Sequence, residues 1–399
     1  MVIGASLDVP GLRAETPGCA HVVHFNHAGA SLMPQRVLDA VIGHTRREGE
    51  IGGYEAAAEA SDRIDGIYDT IARLIGAQRT EIGLIENATR AWDMAFYAIK
   101  LRPGDRILTS RAEYSSNVIS FMQAARNSVS IEVIPDDSSG QIDVAALAAM
   151  MDERVRVVAV SHMPTNGGLV QPAAEIGAVT RDWPATYILD ACQSVGQMPI
   201  DVGEIGCDVL SATSRKYLRG PRGAGFLYVR DDLIGDLEPP FLDNHAATWT
   251  SLDSYEILPD ARRFENWERS YANLLGMDEA VRLALELGLP AIWQRVSKMS
   301  MALRTALAAI DGVICTDIGS VKSGIVTFTM AGVDAETVET RLAAERINVT
   351  VSTVASTRYD MEARHLESVV RASVHYLTTQ AEIDQLIAVL QVLAHLAGK

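Results

Sequence analysis

Between residues 80 and 230 short apolar runs alternate with segments of helical period, and this alternation constrains the fold more than any other feature of the 399-residue chain. Glu81–Glu86, Arg106–Thr109, Ser130–Ile134, Val155–Ser161, Tyr187–Leu189, Asp208–Ala212 and Gly225–Val229 read as strands. Helical segments fall between them at Ala88–Lys100, whose Ala91, Ala95 and Ala98 share a face, at Asn117–Ala125 and at Val144–Met151. Strands separated by helices pair in parallel, so the pattern predicts an α/β fold with a large, mostly parallel sheet covered by helices. Past residue 270 the pattern changes. Asn273–Ile310 is helical with a break at Gly288-Leu289-Pro290, strand-like runs follow at Ile325–Met330, Asn348–Ser352 and Val369–Val374, and Ala381–Leu396 closes as a helix. A large domain over residues 30–268 and a smaller C-terminal α+β domain over 269–399, joined by residues 1–29, are expected.

Acidic residues outnumber basic ones, 51 to 35, for a formal charge of −16. Such a surface repels phosphate backbones and anionic bilayers, which argues against nucleic acid and membrane partners. No run of eighteen apolar residues occurs, and Met1–Asp8 lacks the basic start and apolar middle of a secretory leader. Cys19, Cys192, Cys207 and Cys315 follow neither a metal-ligand nor a disulfide spacing. A cytoplasmic protein without a metal is expected.

Against that acidic background, Arg215–Arg222 is a local basic cluster, and Lys216 lies in it just past the run Cys207–Ala212. Asp190 ends a second run, Tyr187–Leu189. Open α/β sheets bind ligands beyond their strand ends. An amine able to form a Schiff base, and an acid able to face a pyridinium nitrogen, are what pyridoxal 5′-phosphate requires of a protein. Gln193 supplies a hydrogen-bonding group for the ring oxygen, with Cys192 as a small packing residue between it and Asp190. Asn87-Ala88-Thr89 opens a helix whose amide groups suit a phosphate, and Thr213 and Arg215 close that cradle. Tyr114, after another strand end, offers an aromatic face to a ring. Arg371 interrupts the apolar run Val369–Val374, as a guanidinium aimed at an amino-acid carboxylate would.

These residues, in this order, resemble the class V group of fold-type I pyridoxal-phosphate enzymes, which includes cysteine desulfurases, selenocysteine lyases and isopenicillin-N-epimerase-like proteins. The resemblance runs from Phe25-Asn26-His27-Ala28-Gly29-Ala30 to the Arg371 segment. It implies a homodimer with active sites at the subunit interface and an amino-acid substrate. It makes Lys216 the Schiff-base lysine, Asp190 and Gln193 the partners of the ring nitrogen and ring oxygen, and Tyr114 the stacking residue. Ala88, Thr89, Thr213 and Arg215 would hold the phosphate, and Arg371, with Asn26 and His27, the substrate. Arg215 and Tyr114 stand where many members carry His. At the position of the family's cofactor-binding Asn, either Thr165 or Asn166 serves.

Cysteine desulfurases carry a sulfur-accepting cysteine shortly before the carboxylate arginine, and Val351–Val370 contains none. Persulfide transfer by that route is disfavoured. Arg46–Tyr54, together with Ser214-Arg215-Lys216 and Gly220-Pro221-Arg222-Gly223, is similar to the hercynylcysteine sulfoxide lyases. The reading is a C–S lyase acting by β-elimination on a cysteine-derived amino acid or its S-oxide, giving a sulfur species, pyruvate and ammonia. An aminotransferase or epimerase of a small amino acid is the alternative.

Overall fold

A computed structural model describes residues 7–397; the reading of residues 1–8 falls, for its first six positions, outside them. Seven strands form the large sheet: β1 (Ile82–Ile85), β2 (Arg106–Thr109), β3 (Ser130–Val133), β4 (Val155–Ser161), β5 (Thr186–Asp190), β6 (Val209–Thr213) and β7 (Gly225–Val229). Their spatial order is β1-β7-β6-β5-β4-β2-β3. β7 runs antiparallel to β1 and β6; the other neighbours are parallel. The α/β class expected from the alternation is therefore the class observed.

Neighbouring side chains of a strand point to opposite faces, and the core divides accordingly. Leu108, Val158, Val160, Leu189, Leu210 and Phe226 pack into one apolar cluster. Their chain neighbours Ile107, Val157, Ala159, Ile188, Val209 and Leu227 pack into the other. A sheet buried on both faces needs apolar residues at nearly every position, which is why these strands are continuous runs rather than alternating ones. Trp92 and Phe121, from helices Ala88–Phe96 and Ser115–Ala125, cover the second face. Ile71, Ile176, Met277 and Val296 cover the first. They come from helices Ser61–Ile75, Ala173–Thr180, Tyr271–Leu287 and Leu289–Ala308. Gly177 lets helix Ala173–Thr180 approach closely, since a Cβ there would sit 1.8 Å from the Ile205 carbonyl oxygen.

The break at Gly288 ends one helix with φ +79° and starts the next with proline in its first turn, the favoured stop and start residues for helices. A second, antiparallel sheet follows: β8 (Val313–Cys315), β9 (Ile325–Met330), β10 (Thr350–Thr353) and β11 (Ser368–Ser373), ordered β8-β9-β11-β10. The N-terminal segment joins this region, because Val23 and His24 pair with Ile347 and Asn348. Among the described residues no helix is long and apolar enough to cross a membrane.

Glu265 is a buried junction, fully shielded from solvent. It accepts hydrogen bonds from the Tyr68 hydroxyl, the Leu84 N–H, His245 Nε2 and Arg269 Nη1 at 2.5–2.8 Å. It thereby ties helix Ser61–Ile75 and β1 to the loop before helix Tyr271–Leu287. Glu265→Ala strands the half-buried Arg269 charge and a buried N–H, and is expected to lower stability by about 3–5 kcal/mol in chemical denaturation.

Candidate active site

The cleft lies beyond the C-terminal ends of β4, β5 and β6 and is lined by Ala88, Thr89, Ser161, Asp190, Gln193 and Lys216. Parallel register sets its floor, placing Ser161 beside Asp190 and Asp190 beside Ser211. From β6 the chain turns through Ser214–Gly220 and presents Lys216 to the cleft. That turn is fixed at several points. Ser214 Oγ donates to the Pro221 carbonyl, Gly220 N–H to the Ser214 carbonyl, and Ser31 N–H to the Arg215 carbonyl. Arg219 adopts φ +65°, costly for a residue with a side chain. Its buried guanidinium reaches Leu32, Tyr376 and Thr16, which over-determines the conformation.

Lys216 is half-buried, and desolvation lowers its pKa from the usual lysine value. Among the described residues no carboxylate pairs with it. Asp190 is buried; its Oδ1 accepts from the Cys192 N–H at 2.9 Å and its Oδ2 from Asn117 Nδ2 at 3.2 Å. Gln193 Nε2 donates to the Ala28 carbonyl at 3.1 Å, and its Oε1 is buried without a partner. Ala88 and Thr89 bring the N-terminus of helix Ala88–Phe96 to the cleft, and Asn87 caps that helix through the Arg90 N–H. Tyr114 borders the opening.

Thr165 and Asn166 part company. Thr165 lines the cleft, while Asn166 turns its amide to Thr357 Oγ1 and the Met361 sulfur. Arg371, on β11, donates to Thr165 Oγ1 and lies 3.5 Å from Asn26 Oδ1. A backbone bridge between Asn26 and Ser373 brings this pair together. Arg371 is buried with Nε unpartnered and has no carboxylate, so desolvation lowers its pKa to about 10. An uncompensated buried guanidinium is a standing site for an anion. Thr213 ends β6, and Arg215 donates to the Gly29 carbonyl. His27 departs from the expectation of facing substrate. It is buried between His24 and His375, with ring centroids 4.7 and 4.9 Å away, and does not line the cleft. Desolvation keeps it neutral.

The arrangement fits pyridoxal phosphate. It offers an amine with lowered proton affinity, an acid at a strand end, a buried side-chain amide with one N–H beyond that given to Ala28 and a helix N-terminus, all around one cleft. Sequence reasoning gave no role to Asn117 or Ser161, which also line it. Ser161 is the last residue of β4, and Asn117 lies in the first turn of helix Ser115–Ala125.

The chain belongs to the aminotransferase class-V family, which it matches over residues 23–386, and has the fold-type I architecture. It is 28% identical to a probable cysteine desulfurase of Methanothermobacter thermautotrophicus over 347 residues, 86% of each chain. It is 29% identical to probable cysteine desulfurase 2 of Mycobacterium leprae over 404 residues, 96% of each. Among solved structures it superimposes on an apo cysteine desulfurase of Thermococcus onnurineus with TM-score 0.90 and 24% identity, covering 98% and 99% of the chains. A cystine C–S lyase, C-DES, in complex with its product cysteine persulfide gives TM-score 0.85 and 25% identity, covering 94% and 99%.

Cys192 is the thiol of this cleft, and burial and then Asp190 push its pKa up. Few thiolates exist at neutral pH under those conditions. Alkylation of the folded protein at pH 8, mapped by mass spectrometry, is expected to leave Cys192 unlabelled until denaturant is added.

Proposed function

We propose that the protein is a pyridoxal-phosphate-dependent C–S lyase that eliminates the β-sulfur substituent of a cysteine-derived amino acid or its S-oxide. One observation carries the choice of elimination over sulfur capture: no thiol fit to attack stands in the site. Residues 351–370, where a desulfurase would carry its acceptor, lack cysteine. They form instead the short helical turns Val354–Ser356 and Arg358–Ala363, and the proton on Cys192 is held by burial. The cystine C–S lyase among the structural neighbours supports the same reading.

When bound, pyridoxal phosphate withdraws electrons from the substrate Cα and acidifies its C–H bond. Lys216 would hold the cofactor and, as a free amine, would be placed to take the Cα proton; desolvation lowers its pKa. Asp190 would pair with the ring nitrogen, Gln193 with the ring oxygen, and Tyr114 would pack on the ring. The amide groups of Ala88 and Thr89, with Thr213 and Arg215, would hold the phosphate. Arg371, steadied by Thr165 and Asn26, binds the substrate carboxylate. The Cα–H and Cβ–S bonds break, sulfur leaves with the bonding pair, and hydrolysis of the three-carbon remainder gives pyruvate and ammonia. A sulfoxide leaves as sulfenate, more readily than a thiolate, so no acceptor is required. A homodimer completes this reading: the hairpin Ala247–Ile257 exposes Trp249, Leu252 and Tyr255, which a second copy would cover.

The test is a product assay on cysteine, S-alkyl cysteines and their S-oxides without amino acceptor or reductant. Stoichiometric pyruvate and ammonia are expected, abolished in Lys216→Ala. Alanine as the carbon product, or turnover only with an added 2-oxo acid, overturns the proposal. Arg371→Lys is expected to raise KM about 10-fold to 100-fold, because a two-pronged contact is lost.

A further inference from the structure

Glu113 follows β2 and is buried to 1% exposure, yet among the described residues no arginine, lysine or histidine pairs with it. Neutral donors from neighbouring strand ends surround it instead. Its Oε1 accepts from Ser161 Oγ at 2.6 Å, Asn117 Nδ2 at 2.8 Å and the Tyr114 N–H at 3.1 Å. Its Oε2 accepts from the Ser161 N–H at 2.8 Å, with the Thr109 and Ser110 hydroxyls at 3.4 Å. The nitrogen of Asn117 that serves Glu113 also donates to Asp190 Oδ2 at 3.2 Å. A side-chain amide has two N–H groups, so one goes to each acid.

We propose that Glu113 is a positioning residue: by fixing the Asn117 amide it holds the Asp190 carboxylate in the orientation that faces the cleft. The inference rests on the reading of the cleft as a pyridoxal-phosphate site. Asp190 turns about two side-chain torsions, and its backbone alone does not choose which oxygen faces a ligand. The Cys192 N–H takes one oxygen and Asn117 the other, so the plane of the carboxylate is set from both sides. Asn117 in turn lacks a free rotamer, because Glu113 is anchored by two bonds to Ser161. The same carboxylate accepts the backbone N–H of Tyr114, a further anchor for Glu113 itself. Burial, and then the charge of Asp190, raise the Glu113 pKa. Lys216, Cys192 and Tyr114 are the other titratable groups bordering the cleft.

The test compares wild type with Glu113→Gln, Asn117→Ala and the double variant, each stripped and reloaded with pyridoxal phosphate. Three quantities are read: the dissociation constant of the cofactor, the pH midpoint of its visible absorption band, and kcat and KM for elimination. Glu113→Gln sets an amide against donor groups and is expected to move the midpoint by about half a pH unit or more. It should also lower kcat about 10-fold to 100-fold with KM nearly unchanged. Asn117→Ala should do the same, and the double variant no more than Asn117→Ala alone, because the effect passes through that amide. Asn117→Ala leaves the Ser161 anchors intact and reads the link even where Glu113→Gln folds poorly. Uptake of cofactor by all four proteins with an unmoved midpoint, or effects that simply add, overturns the inference and leaves the site reading standing. No uptake by the wild type overturns the site reading, and the inference with it.

Discussion

The structure depends on the parallel register that sets β4, β5 and β6 side by side, with Ser161, Asp190 and Ser211 in one row. Side chains alternate across a sheet, so a slip of one residue would carry every core residue to the opposite face and Asp190 with them. The buried runs on either side forbid that slip, since both faces are already filled. The apolar core and the polar row are therefore one constraint. Lys216 inherits it, because only a short turn separates it from the end of β6.

Several charged groups at the cleft are buried without a partner of opposite sign. Elsewhere some buried acids do have one, as Asp317 has Arg304 and Asp278 has Arg282, each at 2.7 Å, while Arg219 and Arg263 are held by neutral oxygens. Lys216 and Asp190, which line the cleft, and Arg371 and Glu113, which contact its lining through Thr165 and through Asn117 and Ser161, have no partner of opposite charge among the described residues. Burying unmatched groups of both signs in one small volume is destabilising unless a ligand of complementary charge completes them. A zwitterionic substrate and an anionic cofactor are such ligands.

Much of the fold was legible because β-branched runs bounded by turn residues mark buried strands: Arg106–Thr109, Val155–Ser161, Gly225–Val229 and Ile325–Met330 lie where the pattern placed them. Helices Gln35–Ile51, Ser61–Ile75 and Ala173–Thr180 went unread, as did the hairpin Ala247–Ile257. Helix Gln35–Ile51 is mostly polar, and the hairpin strands are largely exposed, so apolar runs do not announce them. In the cleft, Lys216, Asp190, Gln193 and Ala88-Thr89 follow strand ends and could be found from position. Thr165 and Asn166 could not be separated, because adjacent residues face apart and only the packing of Asn166 on Thr357 and Met361 decides. His27 went astray for a like reason: its partner His375 is 348 residues distant. Glu113 lies 48 residues from Ser161 and 77 from Asp190, and no local pattern connects them.

Arg371 belongs to the small antiparallel sheet, whereas Lys216 hangs from the large one. Under the proposed function, a substrate held at its carboxylate by the first and, through the cofactor, at its amine by the second would act as a strut between the two sheets. Occupancy would then stiffen the seam between them. An amine without a carboxylate would leave that seam as loose as in the empty protein.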